Sequence, residues 1–302
     1  MINYIKRKDL EVDKYDACIE HAVQSRIYAF SWYLDIVADN WDVLVLDDYK
    51  AVMPIPWRQK YLIKYVYPPF WTLQLGVFSL DEDIKIDSFI QPLFTNFSYL
   101  ELRMNTRNVF EDVSINSQKK QMQILPLKEN YEEIFSNYRR DRKKDLKKAE
   151  HYSLIEKWND NPRELIKLIK DNVGKRIKDY KVKDYNCLLK LIDICIQKNV
   201  GEVLSIYDKK NQLVASVFLL KHKRSVTKMV SSTNFKNRKN GANTFMIDRI
   251  IYRYHKKFKI FDFGGSSIKN IASFSKSFNA IDEEYDLLKQ NNLPTILKFF
   301  KS

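Results

Sequence analysis

The stretch with the clearest chemical content runs from Asn234 to Asn243 and reads Asn-Phe-Lys-Asn-Arg-Lys-Asn-Gly-Ala-Asn. A strand-like run, Ser225 to Ser232, precedes it, and a helical pattern from about Ala242 to Lys257 follows. A turn of small residues at a helix start leaves backbone N–H groups free and faces the positive end of the helix dipole outward. Such a turn binds phosphate. Lys236, Arg238 and Lys239 add charge, and Gly241 and Ala242 let a ligand approach the backbone. An ordinary basic loop with one glycine fits the same pattern, so the residues alone leave both readings open.

A second stretch, Phe261-Asp-Phe-Gly-Gly-Ser-Ser267, ends a predicted strand in two glycines and two hydroxyls. Strand ends of this kind are common ligand positions in α/β folds. Asp262 lies between two phenylalanines and points away from them. It reads either as a buried, hydrogen-bonded carboxylate or as a base facing a cleft. A third stretch, Tyr138 to Glu150, is strongly helix-forming and very basic, with Asp141 and Asp145 placed to pair with lysines three or four positions away. It is either a solvated face or an anion contact.

Other chemistries are poorly served. There are four histidines, and no His-x-x-x-His, Cys-x-x-Cys or Asp-rich pattern suggests a metal. No Gly-x-Ser-x-Gly elbow and no Gly-x-x-x-x-Gly-Lys-Ser/Thr loop occurs. The cysteines Cys18, Cys187 and Cys195 read as reduced thiols, which fits a reducing cytoplasm.

The elements that must position these stretches alternate between strand and helix. Tyr15 to Ala29 has apolar residues spaced for a helix face, and Trp41 to Leu46 with Ala51 to Pro56 reads as a hairpin turning at Asp47-Asp48-Tyr49-Lys50. Helices are expected from Asn161, with Pro162 at its first position, and over Asp184 to Lys198. Val203 to Tyr207 and Leu213 to Lys221 form another predicted hairpin. The basic helix looks like a joint, giving domains over 1–135 and 136–302. The fold class is α/β, with mixed sheets flanked by helices.

Arg238-x-x-Gly241-x-Asn243 resembles the pyrophosphate turn of GNAT acetyltransferases, usually Arg/Gln-x-x-Gly-x-Gly/Ala. Asn243 departs from the small residue expected last. The strand at Asp262 and the following Ile271-Ala-Ser-Phe-Ser-Lys-Ser-Phe-Asn-Ala280 resemble Fem-type (FemAB) peptidyltransferases and their GNAT-like relatives. Their Asp-Phe-x-Gly-Ser strand leads to Gly-Ile-x-x-Phe-Lys-x-x-Phe-Gly-Ala. Asn270, Ser275 and Asn279 stand where that pattern has Gly, Lys and Gly, and Lys276 neighbours the missing lysine. Arg142 to Glu150 resembles the basic helix opening their second domain, and Asp171-Asn-Val-Gly-Lys-Arg176 their Asn-x-Gly-x-Arg segment. Asn291 to Leu297 is similar to the tail of the GNAT-like relatives.

The resemblance implies tandem GNAT-like domains and acyl transfer from acyl-CoA, such as acetyl-CoA, to an amine. Arg238, Lys239, Asn240, Gly241, Ala242 and Asn243 then wrap the diphosphate, and Ser231 and Ser232 line the acyl pocket. Arg176, Ser266 and Lys276 belong on the substrate side. Acyl transfer needs a neutral amine, N–H donors for the oxyanion and a proton acceptor. Asp262, Tyr252 and Tyr285 are the candidate acceptors.

Two other functions stay open: aminoacyl-tRNA as donor to a cell-wall precursor, and a non-catalytic module binding nucleic acid or another anion. The net charge of +14 over 302 residues suits tRNA, an anionic membrane surface or a phosphate-bearing cofactor, and equally plain solubility. No apolar run is long enough for a transmembrane segment, so the location expected is cytoplasmic, and the acceptor is a small molecule or a cell-wall precursor.

Overall fold

Apolar runs separated by short polar turns give thirteen strands and nine α-helices in the computed structural model, among its described residues. These are all residues except 61, 113, 173, 175–179, 266–267 and 294–302, and the side chains of 237 and 238. In chain order the elements begin β1 (Ile2–Lys6), α1 (Val12–His21), α2 (Ser31–Val37), β2 (Asn40–Leu46), β3 (Ala51–Lys60), β4 (Ile63–Val66), β5 (Phe78–Ser79), α3 (Ile90–Asn96), β6 (Tyr99–Arg103) and β7 (Ser117–Pro126). They continue α4 (Tyr131–Ser136), α5 (Arg140–His151), β8 (Ile155–Trp158), α6 (Pro162–Asp171), α7 (Val182–Gln197), β9 (Gly201–Tyr207), β10 (Leu213–His222) and β11 (Ser225–Thr233). The last are α8 (Ala242–Tyr254), β12 (Ile260–Asp262), α9 (Lys269–Lys276) and β13 (Ile281–Asn291). The class is α/β, with mixed parallel and antiparallel pairing, as the sequence reading expected.

The chain forms two compact units, one of residues 1–120 with the last strand from Glu284, the other of 121–283. A reading by sequence position does not foresee that the last strand returns to the first unit. In that unit the strand order is β1-β2-β3-β4-β6-β13, antiparallel except for β4–β6, with β5 pairing β3. The β2–β3 hairpin turns where the acidic pair predicts, with Asp47 and Tyr49 at φ 50 and 57.

The expected helix over Tyr15 to Ala29 is corrected: α1 covers Val12–His21 and stops. Val23 N–H donates to the Ser79 carbonyl at 3.0 Å, and Gln24 Oε1 accepts from Ser79 N–H at 3.0 Å. A backbone partner in β5 outweighs the helical spacing of Ala22, Val23 and Ile27.

In the second unit the order is β7-β12-β11-β10-β9-β8, antiparallel except for β11–β12. β10 is buried almost throughout, the signature of a strand covered on both faces. Val217 and Leu219 face a core shared with Met246, Ile247 and Ile250 of α8. Phe218 faces the other way, towards Cys195 of α7. α6 starts as predicted, with Asn161 accepting from Arg163 N–H at 3.0 Å and Pro162 in the first turn. The expected strands and helices at Asp184, Val203, Leu213, Ser225 and Ala242 all form, within a few residues of their expected ends.

Candidate functional site

β11 and β12 run parallel for three rungs, Ser225–Ile260, Val226–Phe261 and Thr227–Asp262. β11 continues to Thr233 while β12 ends at Asp262, so the pair opens beyond the last rung. The Phe263 N–H turns to the Gln123 carbonyl on β7 at 3.1 Å. On its other edge β11 carries a bulge. Leu219 pairs with Lys228 and Phe218 with Val230, leaving Met229 as the extra residue. A bulge bends its strand and frees a backbone position from the ladder.

Glycine lets the chain leave the sheet at this point. Gly264 has φ +80, and a Cβ there would lie 2.1 Å from the Lys228 carbonyl oxygen. Asp262 is buried and accepts from Gly264 N–H at 2.8 Å, with the Thr227 hydroxyl 3.5 Å from its other oxygen. Its visible work is to hold this turn.

Lys228, which the sequence reading passed over, sits at the first position of the opening. Burial pulls its ammonium down from the usual lysine range to about 8, against the opposing charge of Asp262. Paired residues on neighbouring strands share a face. Lys228 and Ser231 pair with Leu219 and Val217, and so face the α8 side. Ser232 faces α6 and donates to the Leu168 carbonyl at 3.2 Å.

The turn before α8 is a 3-10 stretch, Phe235–Asn240, then Gly241 in the left-handed region at φ 79. Asn240 is buried, and its side chain accepts from Ala242 N–H at 2.9 Å. Lys239 is exposed. Gly241 has a packing reason of its own: a Cβ there would lie 2.2 Å from the Asp145 carbonyl oxygen, so the glycine admits helix α5. A cavity of about 300 Å³ remains beside it, lined by Arg142, Thr233, Asn243, Thr244 and Phe274 among others.

The remaining sequence candidates are dispersed. Tyr252 is half exposed near the far end of α8, against Tyr131, His255 and Arg249. Tyr285 belongs to the first unit, and burial raises its phenol. Lys276 is half exposed and paired with Asp282 at 2.5 Å. Ser275, at the position of the resembled lysine, is buried and donates to the Ile271 carbonyl at 3.2 Å. Arg176, Ser266 and the side chain of Arg238 lie outside the described residues.

Helix α5 shows two faces. Arg142, Asp145 and Ala149 meet α8, while Arg140, Lys144 and Lys147 form an exposed stripe at i, i+4, i+7. Among the described residues this stripe has no hydrogen-bond or ion-pair partner. The first unit holds its own cavity of about 410 Å³, walled by Trp41, Trp57 and the buried Asp42 with Lys6, Lys8 and Lys64 around it. The described residues contain no cluster of three or more metal-ligating side chains, and no helix long and apolar enough to cross a membrane. Sequence reasoning missed Lys228 because it looked for motifs; the available signal was a lysine inside the strand Val226-Thr-Lys-Met-Val230.

The chain matches no protein-family model and no curated protein. Its fold matches solved structures over nearly its whole length. The crystal structure of FemX aligns at TM-score 0.65 and 10% identity, covering 99% of this chain and 100% of that one. L-PGS from Bacillus licheniformis aligns at 0.57 and 10% identity, covering 95% and 94%. A tandem GNAT protein from the clavulanic acid biosynthesis pathway aligns at 0.54 and 9% identity, covering 98% and 100%. At these identities the likeness is one of fold, the Fem-type, GNAT-like architecture that the motifs implied.

Proposed function

We propose that this chain is an acyltransferase that moves an acyl group onto an amine where β11 and β12 part. The observation that carries the reading is the opening itself, with a bulge at Met229 and a lysine of lowered pKa at its mouth. The attacking amine must be neutral, and the oxyanion that forms needs fixed N–H donors. A bulge supplies backbone groups outside the ladder. A base works best when its pKa lies near the working pH. Lys228, at about 8, fits that task. Asp262 supplies an opposing charge and holds the turn at Gly264, and Ser231 lines the same face as Lys228.

Two donors suit this chemistry: acyl-CoA, acetyl-CoA included, and aminoacyl-tRNA. The stripe Arg140, Lys144 and Lys147 favours the second, because three free cations at one helical spacing match a phosphate backbone. The same stripe suits peripheral contact with an anionic membrane. The proposed acceptor is a small molecule or a cell-wall precursor.

The test follows loss of the acyl group from acetyl-CoA and from aminoacyl-tRNA in the presence of simple primary amines, with product masses recorded. Transfer with either donor that disappears in Lys228→Met supports the reading. Transfer that is unchanged in that variant, or no transfer from either donor, sinks it and leaves the non-catalytic anion-binding module.

A further inference from the structure

The start of α8 is a natural seat for an anion, because its first N–H groups and dipole both face outward. The helix has no acidic residue in its own first turn. The negative charge comes from another element. Asp145 of α5 reaches across: its Oδ2 accepts from the Thr244 hydroxyl at 3.2 Å, and Thr244 stands in that first turn. Arg142 completes a triangle, donating to Thr244 Oγ1 at 2.7 Å and pairing with Asp145 Oδ2 at 3.1 Å. Lys148 holds the other carboxylate oxygen at 2.9 Å. The Arg142 guanidinium also lies over the Phe274 ring, 5.0 Å from its centroid. The Asp145 carbonyl fills the space over Gly241, and Asn240 takes the Ala242 N–H.

We infer that Asp145 is the resident anion of this turn and the residue that shuts diphosphate-bearing ligands out of it. Several features that would recruit a diphosphate here are spent internally: the dipole faces a carboxylate, the Arg142 guanidinium is paired with Asp141 and Asp145, the first-turn hydroxyl is bonded and the glycine gap is filled. An incoming diphosphate would meet a like charge at contact distance, which disfavours both. The inference refines the acyl-transfer proposal and rests on it only in speaking of a donor; the donor is then gripped by groups other than Arg238 to Asn243.

Inorganic pyrophosphate is the probe, titrated calorimetrically into the wild type, Asp145→Asn and Asp145→Ser, with CoA as a second ligand. Both substitutions keep the backbone carbonyl that packs on Gly241 and remove the carboxylate from Arg142 and Thr244, while Arg142 keeps its pair with Asp141 at 3.1 Å. The expected result is no saturable binding by the wild type up to millimolar ligand, and at least about tenfold tighter pyrophosphate binding by either variant, one charge removed at contact. Equal binding by wild type and variant overturns the inference, as does a folded variant that gains nothing. If neither variant folds, the wild type alone decides. Saturable pyrophosphate binding that Thr244→Val weakens overturns the inference, and absence of binding upholds it. None of these readouts uses transfer activity, so failure here leaves the acyl-transfer proposal standing, and the reverse also holds.

Discussion

Replacing Lys228 by methionine exchanges a half-buried ammonium for an uncharged side chain of similar length. Its pKa falls from 10.5 to about 8 in the folded chain. Between those values the unfolded chain holds a proton that the folded chain has shed, so wild-type stability rises with pH across that window. At about 1.4 kcal/mol per pH unit, keeping Lys228 charged at neutral pH costs the folded state about 3 kcal/mol. Lys228→Met is therefore more stable than wild type near pH 7 by roughly that amount, and the advantage disappears by roughly pH 10.5. Urea denaturation of both proteins at closely spaced pH values measures the difference directly, and other titrating groups cancel. The transfer assay on the same samples moves the opposite way, losing roughly a hundredfold or more if Lys228 takes the proton. A stability difference that stays flat with pH would refute the reasoning, since it would mean that Lys228 is not desolvated. A gain in stability with full transfer would separate the buried charge from the chemistry.

Three other perturbations have defined outcomes. Gly241→Ala places a methyl group against the Asp145 carbonyl at a left-handed backbone position, and a loss of about 3 kcal/mol is expected in denaturant melts; a loss under about 1 kcal/mol would show that α5 moves aside freely. Changing Arg140, Lys144 and Lys147 together to Glu should lower the slope of log affinity for RNA against log salt by about 2 to 3, with the melting midpoint nearly unchanged, and an unaltered slope would remove the stripe from polyanion binding. Burial pushes the thiols of Cys18 and Cys195 up to about 12, so iodoacetamide near pH 8 should alkylate the half-buried Cys187 first. Mass mapping that finds Cys18 or Cys195 modified at the same rate would count against a closed core.

The second unit was the more legible half, for a physical reason. Its strands are continuous apolar runs such as Leu213 to Leu220, and its helices carry local start signals such as Asn161-Pro162. Spacing therefore located both the turn at Gly241 and the strand end at Asp262. It did not say what faces them. Only the fold brings Asp145 onto Gly241, across 96 positions of sequence. Lys228 was illegible because its chemistry comes from burial, not from its neighbours in sequence. The overlong reading of α1 has the same origin, since its end depends on Ser79, a long-range partner. Tyr252 and Tyr285 carry the right functional group, but Tyr252 is half exposed near the end of α8 and Tyr285 belongs to the first unit.

The return of β13 to the first unit has a consequence for how the chain matures on the ribosome. Synthesis proceeds from the N-terminus, so every residue of the second unit emerges before Leu287 to Asn291, which pair with β6. Until then β6 offers an open strand edge, a template for wrong pairing with other chains. The second unit can close while the first still waits for its last strand. A stop codon in place of residue 284 would thus spare the later-made unit and cripple the earlier one, with aggregation through β6 as its visible sign.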